Sequence, residues 1–203
     1  MTNQQLAFET TAKTVIKNLA VRNMEGYFFE NSADAVKAIL EMMPEGSSVT
    51  WGGTETFKET GMLAALQAGN YRLIDRSKAT TPEEQRKMYG EMVMSDYFFM
   101  SSNAITLNGE LVNIDGNSNR VAAIAYGPKN VLMIVGMNKV AKDVDAAIYR
   151  LQNPTCELSE IIELIPGPDF PTGGIVQGAQ GIREAFETGH GRVVVRARAE
   201  IVQ

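Results

Sequence analysis

The chain has 203 residues, a formal net charge of −5, and 44% apolar and 21% charged side chains. That length suits one large domain, or a domain with an appendage, and leaves enough apolar surface for a sizeable core. Acidic and basic residues are interspersed, which argues against a general nucleic-acid surface, since that needs a basic patch. A single cysteine, Cys156, and a single histidine, His190, rule out an intrachain disulfide, cysteine-cluster metal or iron–sulfur sites and His-rich metal sites; they also weigh against a Ser–His triad.

The first residues lack the basic and apolar regions of a signal peptide, and no apolar run approaches a membrane span. The expectation is a cytoplasmic protein with no membrane contact, no metal and no cofactor.

In chain order, Phe8, Ala12, Val15, Ile16 and Leu19 fall at helical spacing, and Val36, Ile39, Leu40 and Met43 repeat the pattern behind Ser32 as N-cap. Residues 47–51 read as a short strand ended by Gly52-Gly53. A helix follows from Thr54 to Gly69, then a strand over 71–74. Thr81-Pro82-Glu83-Glu84 is a helix start with a capping box. Residues 97–100 read as a strand buried on both faces. Segments 105–107 and 111–114 flank Asn108-Gly109, the signal of a type I′ hairpin. Residues 121–126 fit a helix or a strand, 130–135 a buried strand, and Val144, Ala147, Ile148 and Leu151 a last amphipathic helix. Met88, Met92, Met94, Met100, Met133 and Met137 read as core filler, as does Trp51. Alternating strands and helices make this an α/β protein: a mainly parallel sheet, helices on both faces, and an inserted hairpin.

A boundary is expected near residue 152, dividing the chain into 1–152 and 153–203. All nine lysines precede Leu151, and Pro154, Pro166, Pro168 and Pro171 crowd into the segment after it.

In open α/β sheets, ligands bind at the carboxyl ends of the strands. Three loops qualify. Gly52-Gly53-Thr54 allows close backbone approach to an anion, and is equally a tight turn with an N-cap. In the loop 115–120, Asn119 and Arg120 fit a carboxylate or phosphate, while its polar residues fit turn chemistry as well. In Gly136-Met137-Asn138-Lys139, Asn138 and Lys139 are placed for an anion, Lys139 also as a base, and Lys139 is otherwise a solvated lysine at a helix start. Glu110 is the one candidate catalytic group, a nucleophilic carboxylate or base, against the plainer reading of a solvent-facing charge at a hairpin tip.

Taken in order, the segments 48–56, 101–106, 108–116, 119–122, 126–129 and 135–140 resemble the lactate-utilisation (LUD, LutC-like) family over about three quarters of the chain. The resemblance implies the fold of the ribose-phosphate isomerase, glucosamine-phosphate deaminase and CoA-transferase group. It also implies a part in bacterial lactate utilisation beside partner subunits that carry iron–sulfur clusters. The family's related enzymes bind phosphates or CoA at the strand-end rim.

The tail follows a different pattern. Its segments 160–174, 181–189 and 191–201 resemble a fragment of the A subunit of type IIA topoisomerases (DNA gyrase and topoisomerase IV), without the catalytic tyrosine. From its own residues the tail is a short α+β appendage, with helices near 159–165 and 182–186 and a strand at 192–201 in which apolar and polar residues alternate. Arg192, Arg196 and Arg198 are the tail's candidate phosphate contacts, although the segment is net acidic. The chain thus reads as a chimera, natural or constructed. Its tail is expected to dock on the main sheet, to stay loose, or to pair with a second copy of the chain.

Three functions follow. The first is a ligand-binding or assembly subunit of a lactate-oxidising system. The second is a small-molecule enzyme acting on a phosphorylated or CoA-linked substrate. The third is a DNA-associated module through the tail.

Overall fold

A computed structural model describes residues 2–115, 119–152 and 192–198. Helix α1 (Asn3–Val21) opens with a capping box in which Thr2 and Gln5 satisfy each other's backbone amides. It buries Ala12, Val15 and Leu19, spaced to lie on one face. Strand β1 (Met24–Phe29) follows. Helix α2 (Ser32–Met42) starts from Asn31, whose side chain accepts from the Asp34 amide, so the cap lies one residue before the expected Ser32.

Strand β2 (Ser48–Trp51) leads into α3 (Glu55–Glu59) and α4 (Met62–Ala68). The sequence suggested one helix here. Gly61, at φ +80°, takes a left-handed conformation that ends the first helix and starts the second. Strand β3 (Arg72–Ile74) and a 3-10 turn (Arg76–Lys78) precede α5 (Pro82–Val93), which begins with the predicted Thr81–Glu84 capping box. Strand β4 (Tyr97–Met100) is buried at every residue.

The hairpin is β5 (Ala104–Thr106) and β6 (Leu111–Val112). Its turn is not type I′, which needs positive φ at both central residues. Only Gly109 has positive φ, +81°. The Thr106 carbonyl accepts from the Gly109 amide at 2.9 Å, and the Thr106 amide donates to the Glu110 carbonyl at 2.9 Å. This is a three-residue loop with glycine at its left-handed position.

Helix α6 (Asn119–Tyr126) settles the helix-or-strand alternative for that segment. Strand β7 (Asn130–Gly136), a 3-10 turn (Met137–Lys139), β8 (Val140–Ala141) and α7 (Val144–Gln152) follow. The one described piece of the tail is β9 (Arg192–Arg198). The two helices expected in the tail, and Cys156 and His190, lie outside the described residues.

Six strands form the main sheet in the order β1-β9-β7-β4-β2-β3. β7, β4, β2 and β3 are parallel, and β9 lies antiparallel between β1 and β7. The small second sheet is β6-β5-β8. Alternation along the strands sends Phe98, Met100, Val131, Met133 and Val135 to the face covered by α1 and α6. It sends Tyr97, Phe99, Leu132 and Ile134 to the face covered by α2, α3 and α4. The chain is therefore α/β with a mainly parallel sheet covered on both faces. Trp51 stacks on Phe57 at 5.5 Å between ring centroids. Met92, Met100, Met133 and Met137 are core, but Met94 is 81% exposed, because it is the C-cap of α5 and not part of its buried face.

Candidate functional site at the strand-end crevice

The connection from β2 runs outward to β3 on one side, and the connection from β4 runs to β7 on the other. The strand order thus reverses between β2 and β4, and in open α/β sheets such a reversal leaves a crevice beyond the carboxyl ends of the two strands. The exits of those two strands, Gly52-Gly53-Thr54 and Ser101-Ser102-Asn103, line it.

Gly52 is buried, and its amide donates to the Phe99 carbonyl at 2.8 Å. A Cβ there would stand 3.8 Å from Cγ of Arg120, so the first two predicted loops do meet. Gly53 is exposed, and Thr54 is the N-cap of α3 without a side-chain capping bond.

The loop after β4 is tied down from several directions. Ser102 Oγ donates to the Ala104 carbonyl at 2.7 Å. The Asn103 amide donates to Asn113 Oδ1 at 3.2 Å, and the Ile114 amide donates to Asn103 Oδ1 at 3.2 Å. Arg150 donates to the Asn103 carbonyl at 3.0 Å. Such a web holds Ser102 and Asn103 in one place, the kind of support that preorganises a site.

Arg120 is part of the same web. Its Nε pairs with Asp115, a carboxylate only 3% exposed, and its Nη2 donates to Asn103 Oδ1 at 2.9 Å and the Ile114 carbonyl at 2.8 Å. Asp115 also accepts from the Val121 amide at 2.9 Å, holding the start of α6. Most of the Arg120 donors are therefore engaged in bracing the loop.

Lys139 comes from the far side, on the 3-10 turn after β7. It donates to Ser101 Oγ at 2.9 Å. Asn138 beside it is exposed. Gly52, Gly53, Thr54, Arg120 and Lys139 thus lie around the exits of β2 and β4, with Asn138 next to Lys139. Asn119 opens α6, but its side chain and residues 116–118 lie outside what the structure describes.

Glu110 is not brought to this crevice. It sits at the tip of the hairpin, the opposite end from Asn103 and Asn113. There it pairs with Arg22 at 2.8 Å and accepts from the Thr106 hydroxyl. Its partner Arg22 also donates to the Asn108 carbonyl at 3.0 Å, which pins the tip to α1.

Sequence reasoning missed Arg76. It lies just past β3, and a Cβ on Gly53 would be 3.0 Å from its Nη2. The tetrapeptide Asp75-Arg76-Ser77-Lys78 reads only as a solvated charged turn, and nothing local in it points to Gly53. A shallow depression lined by Ala33, Val36, Lys37, Leu40, Glu41 and Thr60 lies against α2 and shares no residue with the crevice.

The sequence pattern of the LUD domain matches residues 12–170. The chain belongs to the LUD domain family. This LUD chain has a second similarity, over part of its length. It is 57% identical over 58 residues to the A subunit of DNA topoisomerase 4 from Bacillus subtilis (strain 168), a match that covers 29% of this chain and 7% of that protein. Against the corresponding protein of Streptococcus pyogenes serotype M1 it is 52% identical over 64 residues, 32% of this chain and 8% of that protein. Against the A subunit of DNA gyrase from Dehalogenimonas lykanthroporepellens it is 53% identical over 57 residues, 28% and 7%. The LUD chain therefore spans less than a tenth of the length of these curated relatives. Among solved structures, apo CalE6, a methionine gamma lyase from Micromonospora echinospora, aligns over 69% of this chain and 47% of that chain, at 19% identity and a TM-score of 0.34. No helix among the described residues is long and apolar enough to cross a membrane.

Proposed function

We propose that this LUD chain is a LutC-like lactate-utilisation protein that binds a small anionic ligand, a carboxylate or phosphate, in the crevice between the exits of β2 and β4. It acts as a ligand-binding or assembly subunit beside iron–sulfur partner subunits. The observation that carries the reading is Lys139. Its ammonium reaches Ser101 Oγ beside the reversal of strand order between β2 and β4, over a loop already fixed by Asn103, Arg120 and Arg150. Cation and hydroxyl meet at the exit of β4, the exposed Gly53 lies at the exit of the neighbouring β2, and that combination suits an anion.

The enzyme reading is weaker, because its candidate carboxylate, Glu110, is engaged with Arg22 and Thr106 at the far end of the hairpin. A DNA role would rest on the topoisomerase-like fragment, and the candidate arginine side chains of β9 are outside the described residues.

The test is a thermal-shift panel on the full chain with inorganic phosphate, L-lactate, sugar phosphates, CoA thioesters, nicotinamide nucleotides and duplex DNA. A ligand that binds only the folded state adds about 2.7 kcal/mol of stability at a hundred times its dissociation constant. A carboxylate or phosphate compound is expected to raise Tm, and Lys139→Ala to abolish the rise. A shift with duplex DNA alone would replace this reading with the tail-based one. Turnover of a substrate by the chain without partners would replace it with the enzyme.

A further inference from the structure

We propose that Arg76 is a second anion contact of the crevice, reaching the ligand's acid group across Gly53; the inference rests on the anion-binding reading above. β3 pairs in parallel with β2, with Thr50 opposite Ile74, so the residues just past β3 arrive beside the Gly52-Gly53 exit. Asp75 is the cap of the following turn. Its carboxylate accepts from the Ser77 amide at 3.0 Å and the Ser77 hydroxyl at 2.7 Å, so it is engaged away from its neighbour. The Arg76 side chain is half-buried and makes no hydrogen bond or ion pair with any described residue.

Gly53 supports this placement. It is not one of the described glycines with positive φ, so its backbone does not demand glycine. Its missing Cβ instead leaves room beside the guanidinium, which a methyl group would meet at 3.0 Å. The three cations then divide. The Arg120 guanidinium braces the site through Asp115, Asn103 and Ile114, whereas that of Arg76 bonds to no described residue. Arg76 leans from β3 onto the exit of β2, and Lys139 leans from β7 onto the exit of β4. The exits of β2 and β4 belong to neighbouring strands, about 4.8 Å apart, so one compact acid group seated between them is within reach of both tips. A planar fork and a point charge on opposite sides suit a carboxylate or a phosphate.

Isothermal titration of the full chain with inorganic phosphate, L-lactate and CoA tests this. Arg76→Ala is expected to weaken the probe that binds by about ten- to a hundredfold, the usual loss for a charge-assisted hydrogen bond. Arg76→Lys should recover part of the loss. The ligand-free Tm of Arg76→Ala should stay close to the wild-type value, because the guanidinium bonds to no described residue, and this separates binding from folding. Wild-type affinity in Arg76→Ala, with binding lost in Lys139→Ala, would overturn the role of Arg76 and leave the anion site standing. No binding of any probe to the wild-type chain would overturn both.

Discussion

Asp96 shows how one side chain can set the floor of a parallel sheet. Its carboxylate accepts from the Ser48 amide at 3.0 Å and the Ser48 hydroxyl at 2.7 Å, and from Lys129 at 3.1 Å. Its own carbonyl accepts from the Asn130 amide at 3.1 Å. Ser48 starts β2 and Asn130 starts β7, so one residue ties three strand starts together. The Ser48 bonds, then Lys129, hold the carboxyl down from its ordinary value to about 2 against the desolvation that would raise it. A depressed carboxyl contributes stability that is complete above the unfolded value, 3.8, and lost as pH falls through the folded one. The expected outcome is that Asp96→Asn lowers Tm at pH 7 and flattens the fall in Tm between pH 4 and pH 2. Thermal melts across that range check it, and an acid limb unchanged from wild type would reject it. At this scale the candidate site was half legible. Lys139, Gly52 and Gly53 were marked by their position after strands. Arg76 and the bracing role of Arg120 depend on neighbours brought in by strand pairing, which no short stretch of sequence encodes.

Local chemistry alone fixed some elements. Thr81-Pro82-Glu83-Glu84 makes its capping box from four consecutive residues, with the Glu84 amide donating to Thr81 Oγ1 at 3.2 Å and the Thr81 amide donating to Glu84 Oε2 at 3.1 Å. Asn108-Gly109 signalled a turn correctly but not its type, because the hairpin tip is shaped by α1. Asn18 donates to the Leu107 carbonyl at 2.8 Å, and the glycine packs so closely that a Cβ would stand 2.9 Å from the backbone of Asn18 and Leu19. Gly109→Ala adds strain at φ +81° to that clash. It is expected to cost about 2 kcal/mol, within the range for a strained backbone position. Urea denaturation measures it, and an unchanged midpoint would mean that the hairpin does not rest on α1. β1 went unseen for the opposite reason to the capping box. None of its residues is fully buried, and its partner β9 lies far along the chain, so no local periodicity marks it.

The sheet as a whole was legible in class but not in order. Alternating strands and helices gave a mainly parallel sheet, whereas the order β7-β4-β2-β3 and the seat of β9 between β1 and β7 are non-local choices. Of the fates considered for the tail, docking on the main sheet is the one the strand adopts. It pairs from Arg192 to Ala197 with β1 and from Arg192 to Arg198 with β7. Val195 faces Gly26 on one side and Met133 on the other. Proline there removes a ladder donor from an interior strand, where proline is excluded. Val195→Pro is expected to cost about 2 kcal/mol for the lost bond and its orphaned acceptor, roughly 4–8 °C in Tm for a chain of this size. Hydrogen exchange should quicken along 24–29. Unchanged protection there would show that β1 does not depend on β9.

The position of β9 also has a consequence in time. During synthesis, β1 and β7 are complete long before their shared neighbour exists. About sixty more residues, from Gly136 to Arg198, must leave the ribosome first, on the order of 3–12 s at ordinary translation rates. Through that interval two strand edges present unpaired amides and carbonyls to whatever else is nearby. Translation speed between Gly136 and Arg198 therefore bears on how much of the newborn protein escapes aggregation.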